Sequence, residues 1–178
     1  MRRSPRLALP LIALLAAGLL GSACGTGEER DVKEGEAVEL GDLIYNVQLT
    51  RFLNSDDAED RAYLEGVPEA PKGKSYLVVF MTISNEGDRA AHVPATFTVR
   101  DSRDNEYKPT PVDNGYALKL GAPIPRDSEL PAPDTPAAGG PIEGALVLFA
   151  VDVSVTENRP LEMTIPSASG DGRVELDI

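Results

Sequence analysis

Ser75 to Ser84 reads SYLVVFMTIS, and it dictates much of what the rest of the chain must do. Drawn out as a strand, it sets Leu77, Val79, Met81 and Ile83 on one face and Tyr76, Val78, Phe80 and Thr82 on the other. Aliphatic, β-branched and aromatic residues in this pattern favour a pleated strand. Because both faces are largely apolar, water must be kept from both, which predicts a central strand covered on its two sides.

Shorter segments repeat the two-residue period. Ile44 to Phe52 alternates, with Tyr45, Val47 and Leu49 on one face and Asn46, Gln48 and Thr50 on the other. Ala37 to Leu40 precedes it across Gly41-Asp42. Ala90 to Val93, Phe97 to Asp101 and Glu106 to Lys108 read as further short strands. The last two form a hairpin across Ser102 to Asn105, with Asn105 suited to a positive φ. Pro141 to Asp152, Leu161 to Ile165 and Arg173 to Ile178 complete the set. No segment after residue 24 carries a 3.6-residue apolar stripe, so seven or eight strands predict an all-β sandwich.

Two segments break the rhythm. Residues 54–74 open acidic, with Asp56, Asp57, Glu59 and Asp60, and close with Pro68 and Pro71. Residues 109–140 hold seven prolines. Loops of this length are uncommon in compact domains and are often functional, so both are candidate binding surfaces. The structural alternative is extended crossovers over the sandwich, where prolines block edge-to-edge pairing.

The amino terminus has the layout of an export signal. Arg2, Arg3 and Arg6 precede fourteen uncharged residues, Leu7 to Leu20, and then small residues up to Cys24. A basic start, an apolar stretch and a small-residue cleavage site make a secretory leader. The uncharged run Leu7 to Cys24 is eighteen residues, at the lower limit for a membrane span. Leu20-Gly21-Ser22-Ala23-Cys24-Gly25 resembles the lipobox of bacterial lipoproteins, with Gly21 where that motif prefers leucine. The resemblance implies cleavage after residue 23 and a lipid on the Cys24 thiol. Gly21 and Ala23 also fit ordinary leader cleavage, and an uncleaved anchor is the third reading. Residues 24–35 then read as a flexible tether with a reach of roughly 18 Å, and residues 36–178 as the folded domain.

Removing residues 1–23 takes away three of 17 basic residues and none of 29 acids, leaving a net charge of −15. Such a surface repels nucleic acid and anionic lipid, so membrane residence rests on the lipid. With the single cysteine at the terminus, no disulfide is available and stability must come from packing.

The segment Gly73 to Pro109, with Asn85 and Gly87 in a turn, Phe97-x-Val99-x-Asp101 and Tyr107 after a second turn, resembles a known domain. The domain belongs to Gram-positive and actinobacterial surface lipoproteins and is similar in fold to a secreted mycobacterial immunogenic protein. The resemblance implies an immunoglobulin-like antiparallel β-sandwich over residues 36–178 and carries no catalytic residues. Some members bear a name suggesting telomere-repeat binding, which an exported acidic chain argues against.

Catalytic patterns are absent from the sequence. There is no nucleophile elbow, no Ser-x-x-Lys and no phosphate-binding glycine loop, and His92 is the sole histidine. Met81 and His92, with ten residues between them, resemble one segment of a copper-chaperone pattern, yet Met81 shares an apolar face and is expected in the core. Asp56 to Asp60, and Asp101 with Asp104, offer hard oxygen ligands without an EF-hand spacing. The expectation is a lipid-anchored extracytoplasmic module of the cell envelope that binds an envelope protein or polymer. It is expected to need no cofactor or metal and to catalyse nothing. The alternative is a metal- or small-ligand-binding protein using the acidic loop.

Overall fold

A computed structural model describes residues 30–178. The leader, Cys24 and most of the expected tether lie outside the described residues. In chain order the strands are β1 (Asp31–Lys33), β2 (Ala37–Leu40), β3 (Leu43–Phe52), β4 (Lys74–Asn85), β5 (Ala91–His92), β6 (Thr98–Arg100) and β7 (Glu106–Tyr107). They continue with β8 (Pro109–Thr110), β9 (Pro123–Ile124), β10 (Ser128–Leu130), β11 (Ala145–Asp152), β12 (Leu161–Ile165) and β13 (Gly172–Leu176). Two short helices, α1 (Ala58–Tyr63) and α2 (Pro136–Gly139), sit in the segments expected as loops.

The strands make a β-sandwich. One sheet has five strands in the order β1-β13-β12-β6-β7; the other has six, β2-β3-β4-β11-β8, with β10 also paired to β4. β5 and β9 form a separate two-stranded pair. Residues 106–110 pass from the first sheet to the second, which closes one side of the sandwich. More strands are present than the pattern predicts, because the long connections add pairings of two or three residues. Every pairing between named strands is antiparallel but one: β1 runs parallel to β13, with Val32 opposite Val174.

β4 is the central strand the sequence calls for. β3 pairs along one edge, and β11 and then β10 along the other. Leu77, Val79, Met81 and Ile83 face the other sheet and pack with Phe97, Phe149 and Met163. Val78 and Phe80 face outward and pack with Tyr63, Leu146 and Leu148 in a second buried cluster. Both clusters draw on the strands of the two sheets and on the long connections.

Four local expectations need correction. The tether ends before residue 35, since Asp31–Lys33 is a strand tied down by Arg173, whose Nη1 donates to Asp31 Oδ1 at 2.8 Å. In β3 the register shifts between Val47 and Leu49. Gln48 is the extra residue, so Leu49 turns outward to the second cluster and Thr50 is buried on the inner face. In the turn after β6 the positive φ, 63°, belongs to Asp104; Asn105 is spent as a hydrogen-bond donor. Finally, the long connections are not structureless, because they supply side chains to both clusters.

Candidate functional site

The first long connection lies on the outer face of the six-stranded sheet; the second adds Val112 and Tyr116 to that face and sends Leu118, Ile124 and Leu130 into the inner core. Asp57 caps α1 by accepting from Glu59 N at 2.8 Å and Asp60 N at 3.2 Å. The helix thereby sets Tyr63 onto the sheet, its ring edge-on to Phe80 at 5.0 Å and to Tyr116 of the second connection at 4.9 Å. Arg51, on the outward face of β3, reaches the buried Asp60 carboxylate at 2.5 Å and Glu59 at 3.3 Å. Asp60 also accepts from Asn54 N at 2.7 Å. Asn114 joins the connections by donating from Nδ2 to Tyr63 O at 3.0 Å.

Three of the four acids of the acidic stretch are therefore engaged within the fold. Asp57 caps a helix, while Glu59 and Asp60 hold Arg51. Asp101 is likewise consumed: buried beside the β6–β7 turn, it accepts from Arg103 N and Asn105 N, both at 2.9 Å, from Asn105 Nδ2 at 2.9 Å and from Asn158 Nδ2 at 3.2 Å. Burial pushes its carboxyl up, but the hydrogen bonds from Asn105, Arg103 and Asn158 outweigh that and hold it below the ordinary value. Tyr107 Oη lies 3.4 Å from both Asp101 and Asp152. Burial and those two carboxylates push its hydroxyl up to about 12. Asp104, the other residue of that candidate pair, donates its N–H to Asp101 O at 3.0 Å and turns its carboxylate outward toward Arg100. Met81 is wholly buried in the core, and His92 is exposed on β5 opposite Pro123. Among the described residues, no three His, Cys, Asp or Glu side chains converge to hold a metal ion. No helix among them is long and apolar enough to cross a membrane.

Sequence reasoning missed the hollows that the connections leave over the sheet and beside the inner core. One, of about 540 Å³, lies between residues 53–70 and Tyr76. Another, of about 410 Å³, lies between residues 109–113 and the outward side chains of β11. A third, of about 290 Å³, is walled by Leu118, Leu130, Pro131, Ala132, Ala137 and Ala145. The sequence holds one sign of this last hollow: the alanines and glycines of 115–145 leave space where larger side chains would fill it. Lys119 is the single charged residue lining it.

No family model and no curated protein matches the chain. Solved structures do share its shape. The yjhA protein of Bacillus subtilis superposes with a TM-score of 0.53 at 15% identity, covering 82% of this chain and 99% of that one. An uncharacterised β-sandwich protein from Clostridium difficile 630 gives 0.51 at 11% identity, covering 84% and 95%. MPT63, a secreted protein from Mycobacterium tuberculosis, gives 0.51 at 13% identity, covering 83% and 96%. The fold is a β-sandwich of this kind, and the expected likeness to a secreted mycobacterial sandwich is found. At these identities the likeness concerns the fold alone.

Proposed function

We propose that this protein is a lipid-anchored extracytoplasmic module of a bacterial cell envelope, holding a non-catalytic sandwich near a membrane to bind an envelope protein or polymer. The observation that carries the reading is Cys24, in a lipobox-like sequence, six residues ahead of Arg30, where the described chain begins. Fully extended, those six residues span about 20 Å, so a lipid on Cys24 keeps the sandwich against the membrane. Two or more acyl chains, at about 0.8 kcal/mol per buried CH₂, make such an anchor stable. MPT63 is itself a secreted protein, in keeping with the export that this chain's leader calls for.

The pairing of β1 with β13 supplies an orientation. Asp31 lies opposite Arg173, and Arg30 donates to Gly170 O, so the chain enters beside the turn at residues 166–171. That end would face the lipid. The opposite end, with the 101–105 turn and residues 153–159, would face outward. Loops on a rigid scaffold are common binding elements.

The test is acyl labelling and fractionation in a bacterial host, comparing wild type with Cys24→Ala. Wild type should carry label and sediment with membranes, and Cys24→Ala should do neither. A photo-crosslinking residue at Arg103 should capture a defined envelope component, and one at Asp42 should not. Unlabelled, soluble wild type would sink the anchoring. Equal capture at both positions, or none at either, would sink the oriented binding.

A further inference from the structure

We propose that the 290 Å³ hollow under the second connection is a binding site for a small apolar carboxylate, with Lys119 as its charge partner. Its walls come from Leu118, Leu130, Pro131, Ala132, Ala137 and Ala145, of which Leu118, Ala137 and Ala145 are buried. A dry apolar cavity of about 150 Å³ is large enough for benzene; this one has about twice that volume, which suits a bicyclic ring. Ligand sites are mostly apolar hollows with a few placed polar groups. Most of the polar groups here are already engaged. Asn114 donates to Tyr63 O and Glu65 O and accepts from Tyr116 N, and Thr135 Oγ1 donates to Ala132 O.

Lys119 is the exception. Its ammonium makes no hydrogen bond or ion pair among the described residues; the same holds for Lys33, Lys72, Arg89, Arg103 and Arg159, but none of those lines this hollow. No acidic residue lines the hollow, although 29 are present in the chain. A lone cation beside apolar walls selects an apolar body with one negative group. The neighbouring hollow of about 410 Å³ shares Ala117, Leu118 and Lys119 but includes Asp113, which disfavours an anion there. The site is independent of the lipid on Cys24 and goes beyond the envelope-binding role.

The full chain, methyl-labelled for NMR, should be titrated with naphthoate and with its neutral counterpart naphthamide. Saturable shifts are expected at Leu118, Leu130, Ala132, Ala137 and Ala145, with naphthoate the tighter. Lys119→Gln should weaken naphthoate about fivefold, the size of an exposed ion pair, and leave naphthamide unchanged. Ala132→Leu, which fills the hollow from a half-buried position, should abolish both. Absence of saturable shifts in wild type would overturn the site, as would shifts that map to other methyls. Equal affinity for the two probes, unaltered in Lys119→Gln, would overturn the carboxylate assignment. Lys119 is exposed, so its variant tests the assignment even if Ala132→Leu fails to fold.

Discussion

Asp101 should control the stability of the end of the sandwich that carries the 101–105 turn through its charge, and two substitutions separate charge from shape. Its carboxylate gathers two backbone amides and the side chains of Asn105, Asn158 and Tyr107. Hydrogen bonds to a charged group are each worth about 1.5–3 kcal/mol, with strong non-additivity inside one cluster. Asp101→Ala removes them all and should cost about 3–4 kcal/mol. Asp101→Asn can still accept from Arg103 N and Asn105 N, but its amide then points a donor at the amides of Asn105 and Asn158. We expect it to cost about 2 kcal/mol at neutral pH.

The pH dependence fixes the cause. The folded carboxyl is held below its ordinary value of 3.8, so its stabilisation is complete well above that value. It is lost as the pH falls through the folded value, because the unfolded chain then takes up the proton first. Asn does not titrate. Urea unfolding of wild type and Asp101→Asn at neutral pH and in steps below about pH 4 should therefore show their gap closing as acid is added. The other carboxylates are common to both proteins and cancel in the difference. A gap that stays constant down to the acid limit of the fold would refute the charge-based account of the cluster.

Three further outcomes follow from buried groups. Asn85 donates from Nδ2 to Arg89 O, Ile124 O and Pro125 O and accepts from Gly87 N, so Asn85→Ala should cost about 2–4 kcal/mol, read as a lowered urea midpoint. Gly144 has a φ of 136°, and an added Cβ would sit 2.9 Å from Met81 N; Gly144→Ala should cost about 1–3 kcal/mol and shift the amide resonances where β11 meets β4. Burial pushes the Tyr45 hydroxyl up from 10.0 to about 12. The stability this gives is whole below the unfolded value and disappears as the pH rises through the folded one, so Tyr45 should ionise with alkaline unfolding and not before it, as followed by tyrosinate absorbance.

The parts of the fold legible in the sequence are those where burial alone sets the residue type. In β4, facing sheets on one side and covering segments on the other demand apolar residues at every position from Leu77 to Met81, and the sequence carries them openly. β12 alternates so regularly that its limits, Leu161 and Ile165, are those expected. Where a strand departs from its period, the pattern misleads. Gln48 marks the bulge in β3 only in retrospect, since a single polar residue at an alternating position looks regular. β1 was illegible for a different reason: Asp31, Val32 and Lys33 have one apolar residue between two charges, and their partner is at the far end of the chain. The hollow beside Lys119 was illegible too. Its walls come from segments around residues 118, 131 and 145 that only the fold brings together, so the alanines and glycines there hint at space without saying where it lies.

The parallel pairing of β1 with β13 bears on how the molecule comes to be. Arg173 bonds Asp31 across 142 residues, and Glu34 Oε2 accepts from Asp177 N across 143. The first strand thus has to wait for the last, and so long a loop closure is among the slowest contacts a chain of this size can make. Until residues 172–176 are in place, Val32 lacks the strand that buries it, and the N-terminal arm is a free end. Completion of the C-terminus is therefore the event that fastens the N-terminus, so a chain cut short before β13 would leave its first strand undocked.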